Sequence, residues 1–379
     1  KYKMQSNNEK KLRLSKCSIS DNEIKAIQKV FDSEYLGMGA QVLEFEQNIK
    51  KYINTDMEVT CVNSGSSALQ LALSALDIGV GDEVLVPSLT YIACFQAISA
   101  LGAKPVACEV NQDTLFIDSI DAESKITVNT KAIMPVHYAS SSVGMNKIYE
   151  LAQNYQLRVV EDAAQAFGSI RDSKKIGIDG DIICFSFDGI KNITSGEGGA
   201  ILTSDKKLLE RLKDDRLLGV NKDTEMRFSG NRSWDFNVEN QGFRFHMSNI
   251  NAAIGIEQLK RIDIFKIKRQ SIAMHYLMQF EKIKDIKPLS LNFYEIMPHL
   301  FVIKAKLRDR LREFLLVNKI ECGIHYKPNH LLAKYDDGAK LPVTESIYNE
   351  ILTIPCHFDL TINEQNFIIG KVKEFYAKN

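Results

Sequence analysis

The sequence is marked first by what it is short of. Lys plus Arg and Asp plus Glu number 48 each, so the formal net charge is zero. Without excess positive charge the chain lacks the broad field that holds polyphosphates or anionic lipid, so no nucleic-acid or membrane partner is expected. No uninterrupted apolar run is long enough to cross a bilayer, which takes about 20 residues. Residues 1–16, KYKMQSNNEKKLRLSK, are polar and basic with no apolar centre, and no signal peptide is expected there. The seven cysteines (17, 61, 94, 108, 184, 322 and 356) are odd in number, form no CxxC pair and sit mostly in apolar runs. That pattern fits buried free thiols in a reducing cytoplasm, with neither disulfides nor a bound metal. The eight prolines fall mostly at element edges. No internal repeat or low-complexity stretch is visible.

What is present is ordinary globular material: 45% hydrophobic and 25% charged residues. A length of 379 residues exceeds one compact core and suits two domains of unequal size. Short apolar runs recur at 59–63, 83–87, 104–110, 131–136, 157–162, 181–187 and 199–204. Amphipathic stretches at 66–76, 90–101 and 145–155 separate several of them. The alternation implies βαβ units and an α/β fold with a mainly parallel seven-stranded sheet flanked by helices. The run 199–204 follows 181–187 without room for a helix, which suggests antiparallel pairing. Residues 20–35 read as a helix capped at Ser20 or Asp21 with Glu23 in its first turn, and 249–283 reads as one long helix. Beyond it the pattern becomes α+β: a strand at 299–305 and helices at 308–319, 345–352 and 363–376. The expected division is an N-terminal extension (1–20), a large domain (21–255) and a smaller C-terminal domain (256–379).

Ligands of open parallel sheets bind beyond the carboxyl ends of the strands. After the first run come Ser64, Gly65, Ser66, Ser67 and Ala68, opening a helix. Small residues there serve as an anion site or as a plain N-cap. The run 157–162 ends in Glu161-Asp162, with Gln165 just beyond; such an Asp can cap a helix, hold a metal or meet a ligand. Lys191 follows the run 181–187 and precedes the glycine-rich Ser195-Gly196-Glu197-Gly198-Gly199. A lysine there is either a solvated loop residue or a desolvated, nucleophilic amine. A phosphate cradle, a strand-end Asp and a strand-end Lys together fit one cofactor, pyridoxal 5′-phosphate. Its phosphate takes a helix N-terminus, its pyridine nitrogen a carboxylate, and its aldehyde an amine.

With these residues in place, the sequence resembles the DegT/DnrJ/EryC1/StrS family of fold-type I pyridoxal-phosphate aminotransferases acting on nucleotide-linked keto sugars. The resemblance runs from about Leu14 to Phe375. It rests on NSGSSALQLAL, GDEVLVPSLTYIA, PVHYAS, VVEDAAQAFGS, FSFDGIKNITSGEGGAILTSD, GFRFHMSNINAAIGIEQLKRID, GIHYKP and LPVTESIYNEILTIPCH, in the family's order. By this resemblance Lys191 binds the cofactor's aldehyde and shuttles protons. Asp162 pairs with the ring nitrogen, Gln165 lies near O3′, and Tyr91 stacks on the ring. Gly65, Ser66 and Ser186 bind the phosphate. The family's GYNYRM block reads Gly242-Phe243-Arg244-Phe245-His246-Met247 here. Arg244 thus stands where an Asn reaches the partner subunit's cofactor, and an anion contact is expected of it. Phe167 replaces a common His and is expected to pack. His137, His325, Tyr326 and His330 fall in segments resembling substrate-facing loops, with a purely structural role the alternative for each; Arg232 and Trp234 would cover the sugar or the dimer seam, with ordinary packing the default for Trp234.

The resemblance implies a cytoplasmic homodimer with shared active sites and no metal. It would move an amino group from L-glutamate, releasing 2-oxoglutarate and passing through pyridoxamine phosphate. The acceptor would be a nucleotide-linked keto-6-deoxy sugar, with C4 of dTDP-4-keto-6-deoxyglucose favoured and the product an amino sugar for O-antigen or lipopolysaccharide. Amination at C3 and a sugar dehydratase are the alternatives; the family's dehydratases replace the lysine with His, whereas this chain keeps Lys191. A pyridoxal-binding regulator without turnover is a further alternative, which an intact Lys191, Asp162 and Gln165 oppose.

Overall fold

The computed structural model describes residues 11–232 and 234–378. The first part of the expected N-terminal extension, residues 1–10, lies outside them. Strands are β1 (Glu58–Val62), β2 (Glu83–Pro87), β3 (Lys104–Cys108), β4 (Thr130–Ile133), β5 (Arg158–Asp162), a hairpin of β6 (Ile170–Arg171) and β7 (Lys174–Lys175), β8 (Ile182–Ser186), β9 (Gly199–Thr203), β10 (Ile286–Pro288), β11 (Phe301–Ala305) and β12 (Ile351–Ile354). The helices are α1 (Asp21–Asp32), α2 (Ala40–Ile53), α3 (Gly65–Ala75), α4 (Ala93–Ser99), α5 (Ser119–Ser124), α6 (Met145–Tyr155), α7 (Lys206–Asp215), α8 (Asp223–Phe228), α9 (Asn249–Lys260), α10 (Ile262–Phe280), α11 (Arg308–Val317), α12 (Pro342–Glu350) and α13 (Ile362–Ala377).

Seven strands form one sheet in the order β1-β9-β8-β5-β4-β2-β3. All run parallel except β9, which pairs antiparallel with both β1 and β8. The expected seven-stranded, mainly parallel sheet is therefore present, with the anticipated antiparallel member. Helices cover both faces, which is why β8 and β9 are buried at every position instead of alternating. On one face Phe45, Ile49, Phe185 and Phe187 pack with α9. Phe167 stands at the centre of that cluster, with ring centroids 5.0 Å from Phe185 and 5.2 Å from Phe187. On the other face α3, α4 and α7 bury Leu71, Leu73, Phe95, Ile98 and Leu212.

Two expectations are corrected. The stretch 249–283 is two helices, broken at Arg261. α9 buries Ala252, Ala253 and Ile256 against α1 and α2, whereas α10 turns its apolar side to α13 and β10. Two different cores claim the two halves, so the axis bends between them. The helix expected at 345–352 is α12, ending at Glu350, and Ile351–Ile354 forms β12 beside β11. A four-residue apolar run is ambiguous by periodicity alone, and burial on both faces resolves it as strand.

β10, β11 and β12 form a separate antiparallel sheet. Its core, with Tyr276, Phe280, Phe301 and Leu352, is closed by α10, α11 and α13. The start of the described chain is pinned to this part: Leu12 bridges Ile320, and the Leu14 N–H donates to Glu321 at 3.0 Å. α1 opens with the expected capping box between Ser20 and Glu23. All seven cysteines are free thiols, and only Cys17 is exposed. Among the described residues, no helix is long and apolar enough to cross a membrane, and no cluster of His, Cys, Asp or Glu could hold a metal.

Candidate active site

The carboxyl ends of β1, β2, β5 and β8 open into a cavity of about 370 Å³, closed on its far side by the segment around His325 and by His299. At one end is the start of α3. Ser64 caps it, its hydroxyl accepting the Ser67 N–H at 3.0 Å. Ser64 is the N-cap, while Gly65 and Ser66 line the cavity in the first turn, where helical N–H groups lack internal partners. A side chain at Gly65 would put its Cβ 2.6 Å from the Cβ of Ser186, so only glycine lets the helix start rest against β8. Gly199 meets the same limit from behind, where a Cβ would fall 2.4 Å from the Ser64 carbonyl oxygen. The result is a bare backbone cradle flanked by the Ser186 hydroxyl, suited to a phosphate.

Asp162, buried at the end of β5, forms the opposite wall. Its Oδ1 accepts the Ala164 N–H at 3.0 Å and its Oδ2 the Cys94 thiol at 2.9 Å. Lys191 enters from the turn after β8, its N–H donating to the Asp188 carbonyl at 3.0 Å. Burial lowers its pKa below the usual lysine value of 10.5, although Asp162 and Asp188 act in the opposite direction. Gln165 is fixed from both ends of its amide: Oε1 accepts the Ala139 N–H at 2.8 Å, and Nε2 donates to the Tyr326 hydroxyl at 3.0 Å. Burial, with Asp162 nearby, pushes the Tyr326 phenol upward, so it stays protonated. Tyr91 stands at the mouth, half exposed, its ring 5.7 Å from that of Tyr326.

Of the expected site residues, Gly65, Ser66, Tyr91, Asp162, Gln165, Ser186, Lys191, His325 and Tyr326 come together in this cavity. Others do not. His137 is fully buried outside the cavity, its Nε2 2.8 Å from Glu161 Oε2, and Tyr149 and Arg171 bind the same carboxylate. It belongs to a buried network around Glu161, apart from the lining of this cavity. His330 is likewise tied up, between the Ser88 hydroxyl at 2.7 Å and Glu345 at 3.2 Å. Trp234 is 87% exposed and Arg232 is exposed, both away from the cavity. Arg244 is exposed and outside this chain's cavity; its carbonyl accepts from Asn63 Nδ2 at 3.4 Å, and its backbone bridges Leu217.

Sequence reasoning missed His299, Cys94, Thr90, Asp188 and Glu197. His299 lies 97% buried in the wall, where burial and then Lys191 hold its imidazole neutral, well below the ordinary pKa. Burial, again followed by Lys191, lowers His325 to about 4. Nothing near His299 in the sequence marks it: it simply precedes the apolar run of β11. Glu197 could have been read from the glycine-rich loop; burial, then Asp188, raises its pKa. A glycine cradle at one end, a clamped carboxylate at the other and a buried amine of lowered pKa between them match the phosphate, ring nitrogen and aldehyde of pyridoxal phosphate, so the residues present fit that cofactor.

Residues 17–373 match the family described as the DegT/DnrJ/EryC1/StrS aminotransferase family. The chain is similar to the spore coat polysaccharide biosynthesis protein SpsC of Bacillus subtilis, 32% identical over 369 residues, covering 94% of this chain and 95% of SpsC. Among solved structures, it resembles Helicobacter pylori PseC, an aminotransferase involved in the biosynthesis of pseudoaminic acid. That match has a TM-score of 0.89 at 27% identity and covers 98% of this chain and all of PseC (100%). It also resembles Spr1654 of Streptococcus pneumoniae in its PMP form, with a TM-score of 0.89 at 26% identity, covering 97% and 98% of the two chains. Spr1654 was solved in a PLP form as well.

Proposed function

The chain belongs to the DegT/DnrJ/EryC1/StrS aminotransferase family, and from that premise we propose that it aminates a nucleotide-linked keto-6-deoxy sugar, using L-glutamate as the donor. The protein is a pyridoxal-phosphate-dependent sugar aminotransferase. The favoured acceptor is dTDP-4-keto-6-deoxyglucose, aminated at C4 in the cytoplasm for a surface polysaccharide such as an O-antigen. The observation that carries the reading is the convergence of Lys191, Asp162 and the Gly65–Ser66 cradle in one cavity. Involvement of PseC in the biosynthesis of pseudoaminic acid and of SpsC in that of spore coat polysaccharide supports the substrate class.

When bound, pyridoxal phosphate supplies the carbonyl that carries the amino group and a ring that takes up electrons from the carbon losing its proton. The rest is work for the chain's own side chains. Lys191 would hold the aldehyde between turnovers, then take a proton from the donor's α-carbon and later deliver one to the sugar carbon. Burial favours its uncharged form, which a base and nucleophile needs. Asp162 would hold the positive charge of the ring nitrogen, its orientation set by Ala164 and Cys94. Gln165 and Tyr326 would orient the ring's oxygen side. His299 and His325, kept neutral by burial, would offer hydrogen bonds to a sugar without adding charge beside Lys191.

We propose a homodimer in which Arg244 of one subunit reaches an anion in the other's site. Its exposure outside its own chain's cavity is compatible with that role. The chain is neutral overall, so the anionic cofactor and the sugar diphosphate would be held by short-range contacts and not by a global field.

The test is product analysis. Incubation with glutamate and a panel of dTDP-, UDP- and GDP-linked 3-keto and 4-keto 6-deoxy sugars should give one predominant amino sugar and an equal amount of 2-oxoglutarate. The favoured assignment requires the dTDP-4-keto sugar to react fastest. Deoxygenation of the sugar without amine incorporation would instead support the dehydratase alternative.

A further inference from the structure

Asp162 is held from two directions. One donor, the Ala164 N–H, is local. The other, the Cys94 thiol, comes from α4, 68 positions away in the sequence, and lies 2.9 Å from Oδ2. This thiol is fully buried, and the Thr90 hydroxyl is 3.5 Å from its sulfur. An S–H group is a weak donor: it can fix the direction of a carboxylate while withdrawing little of its charge. Lys191, Tyr326 and the Cys184 thiol also interact electrostatically with Asp162.

We propose that Cys94 is a positioning residue for the transamination: its thiol orients the Asp162 carboxylate toward the cofactor's ring nitrogen. The proposal rests on the pyridoxal phosphate reading of the cavity. It makes the two simplest substitutions differ in kind. A serine hydroxyl, a stronger donor, would keep the orientation but draw charge from Asp162. An alanine would remove the donor and leave Oδ2 without that partner.

The test uses the full chain, first free of cofactor and then loaded. The infrared S–H band in the wild-type minus Cys94→Ser difference spectrum should lie at lower frequency than that of a thiol without an acceptor, and Asp162→Asn should move it back. Cys94→Ser should bind pyridoxal phosphate within about threefold of wild type, whereas Cys94→Ala should bind roughly tenfold more weakly. The pH midpoint of the bound cofactor's absorbance should move by about half a unit or more in Cys94→Ser, and in the opposite sense in Cys94→Ala. A thiol that only fills space would show its band at the frequency of a thiol without an acceptor, and its loss would lower the melting temperature of both variants while leaving the affinity and the midpoint at wild-type values. That result overturns the proposal. A wild-type chain that binds no pyridoxal phosphate would instead overturn the cofactor assignment beneath it, so the two failures are distinguishable.

Discussion

Gly65, the first residue of α3, and Ser186, the last residue of β8, are in such close contact that a methyl group on the glycine would lie 2.6 Å from the serine Cβ. The contact sets one backbone turn and one hydroxyl side by side at the end of the cavity. Gly65→Ala should therefore push the helix start away from β8. The expected result is a loss of roughly tenfold or more in pyridoxal phosphate affinity, read by titrating the cofactor-free protein.

Lys191→Ala should reduce transamination by about a thousandfold or more, because the proton shuttle disappears. The sign of a pH effect follows from the charges around the amine. Burial lowers the pKa of Lys191, and Asp188 raises it by stabilising the ammonium form. Asp188→Asn should lower it further. In the cofactor-free protein, acylation of Lys191 by an amine-directed reagent should then rise at lower pH than in wild type. An unchanged profile would mean that Asp188 is too well screened to matter.

His246 gives a stability prediction. Burial, helped by Arg227 and Arg244, lowers its pKa to about 4, against about 6.5 in an unfolded chain. The unfolded state therefore binds more protons between these values, so stability is full above about pH 6.5 and is lost as pH falls toward 4. His246→Gln should flatten the fall of melting temperature between pH 6.5 and 5, a window above the range where most carboxylates titrate.

Phe167→Ala should cost about 3–5 kcal/mol in denaturant unfolding, since it empties a site packed edge-on against Phe185 and Phe187. Cofactor-binding residues would remain in place, so activity per folded molecule should change far less.

Trp234 is the sole tryptophan and is 87% exposed in the single chain. If the homodimer seam covers it, its emission should shift to shorter wavelength as concentration rises through the dimerisation range. A companion test mixes Lys191→Ala with Arg244→Ala chains. Regained activity in the hybrid is expected if Arg244 serves the partner's site, because one of the two sites then has both residues intact.

The sequence by itself determined the parts governed by short-range rules. Alternating apolar runs and amphipathic stretches specify a wound sheet, because only such segments bury both faces. Ser64 and Gly65 announce a capped helix start, and Asp162 and Lys191 lie at strand ends, where the fold opens to ligand. Tertiary structure alone decided what depends on distant chain meeting. His137 follows a strand, as a site residue would, yet Glu161 binds it inside the protein. His299 carries no local mark but reaches the cavity wall because β11 packs where it does. Ile351–Ile354 became strand because β11 offered a pairing edge, and residues 249–283 bent at Arg261 because two cores claimed them. The thiol clamping Asp162 comes from 68 positions away. Periodicity reports which face of an element is buried, but which neighbour buries it is set only when the chain closes on itself.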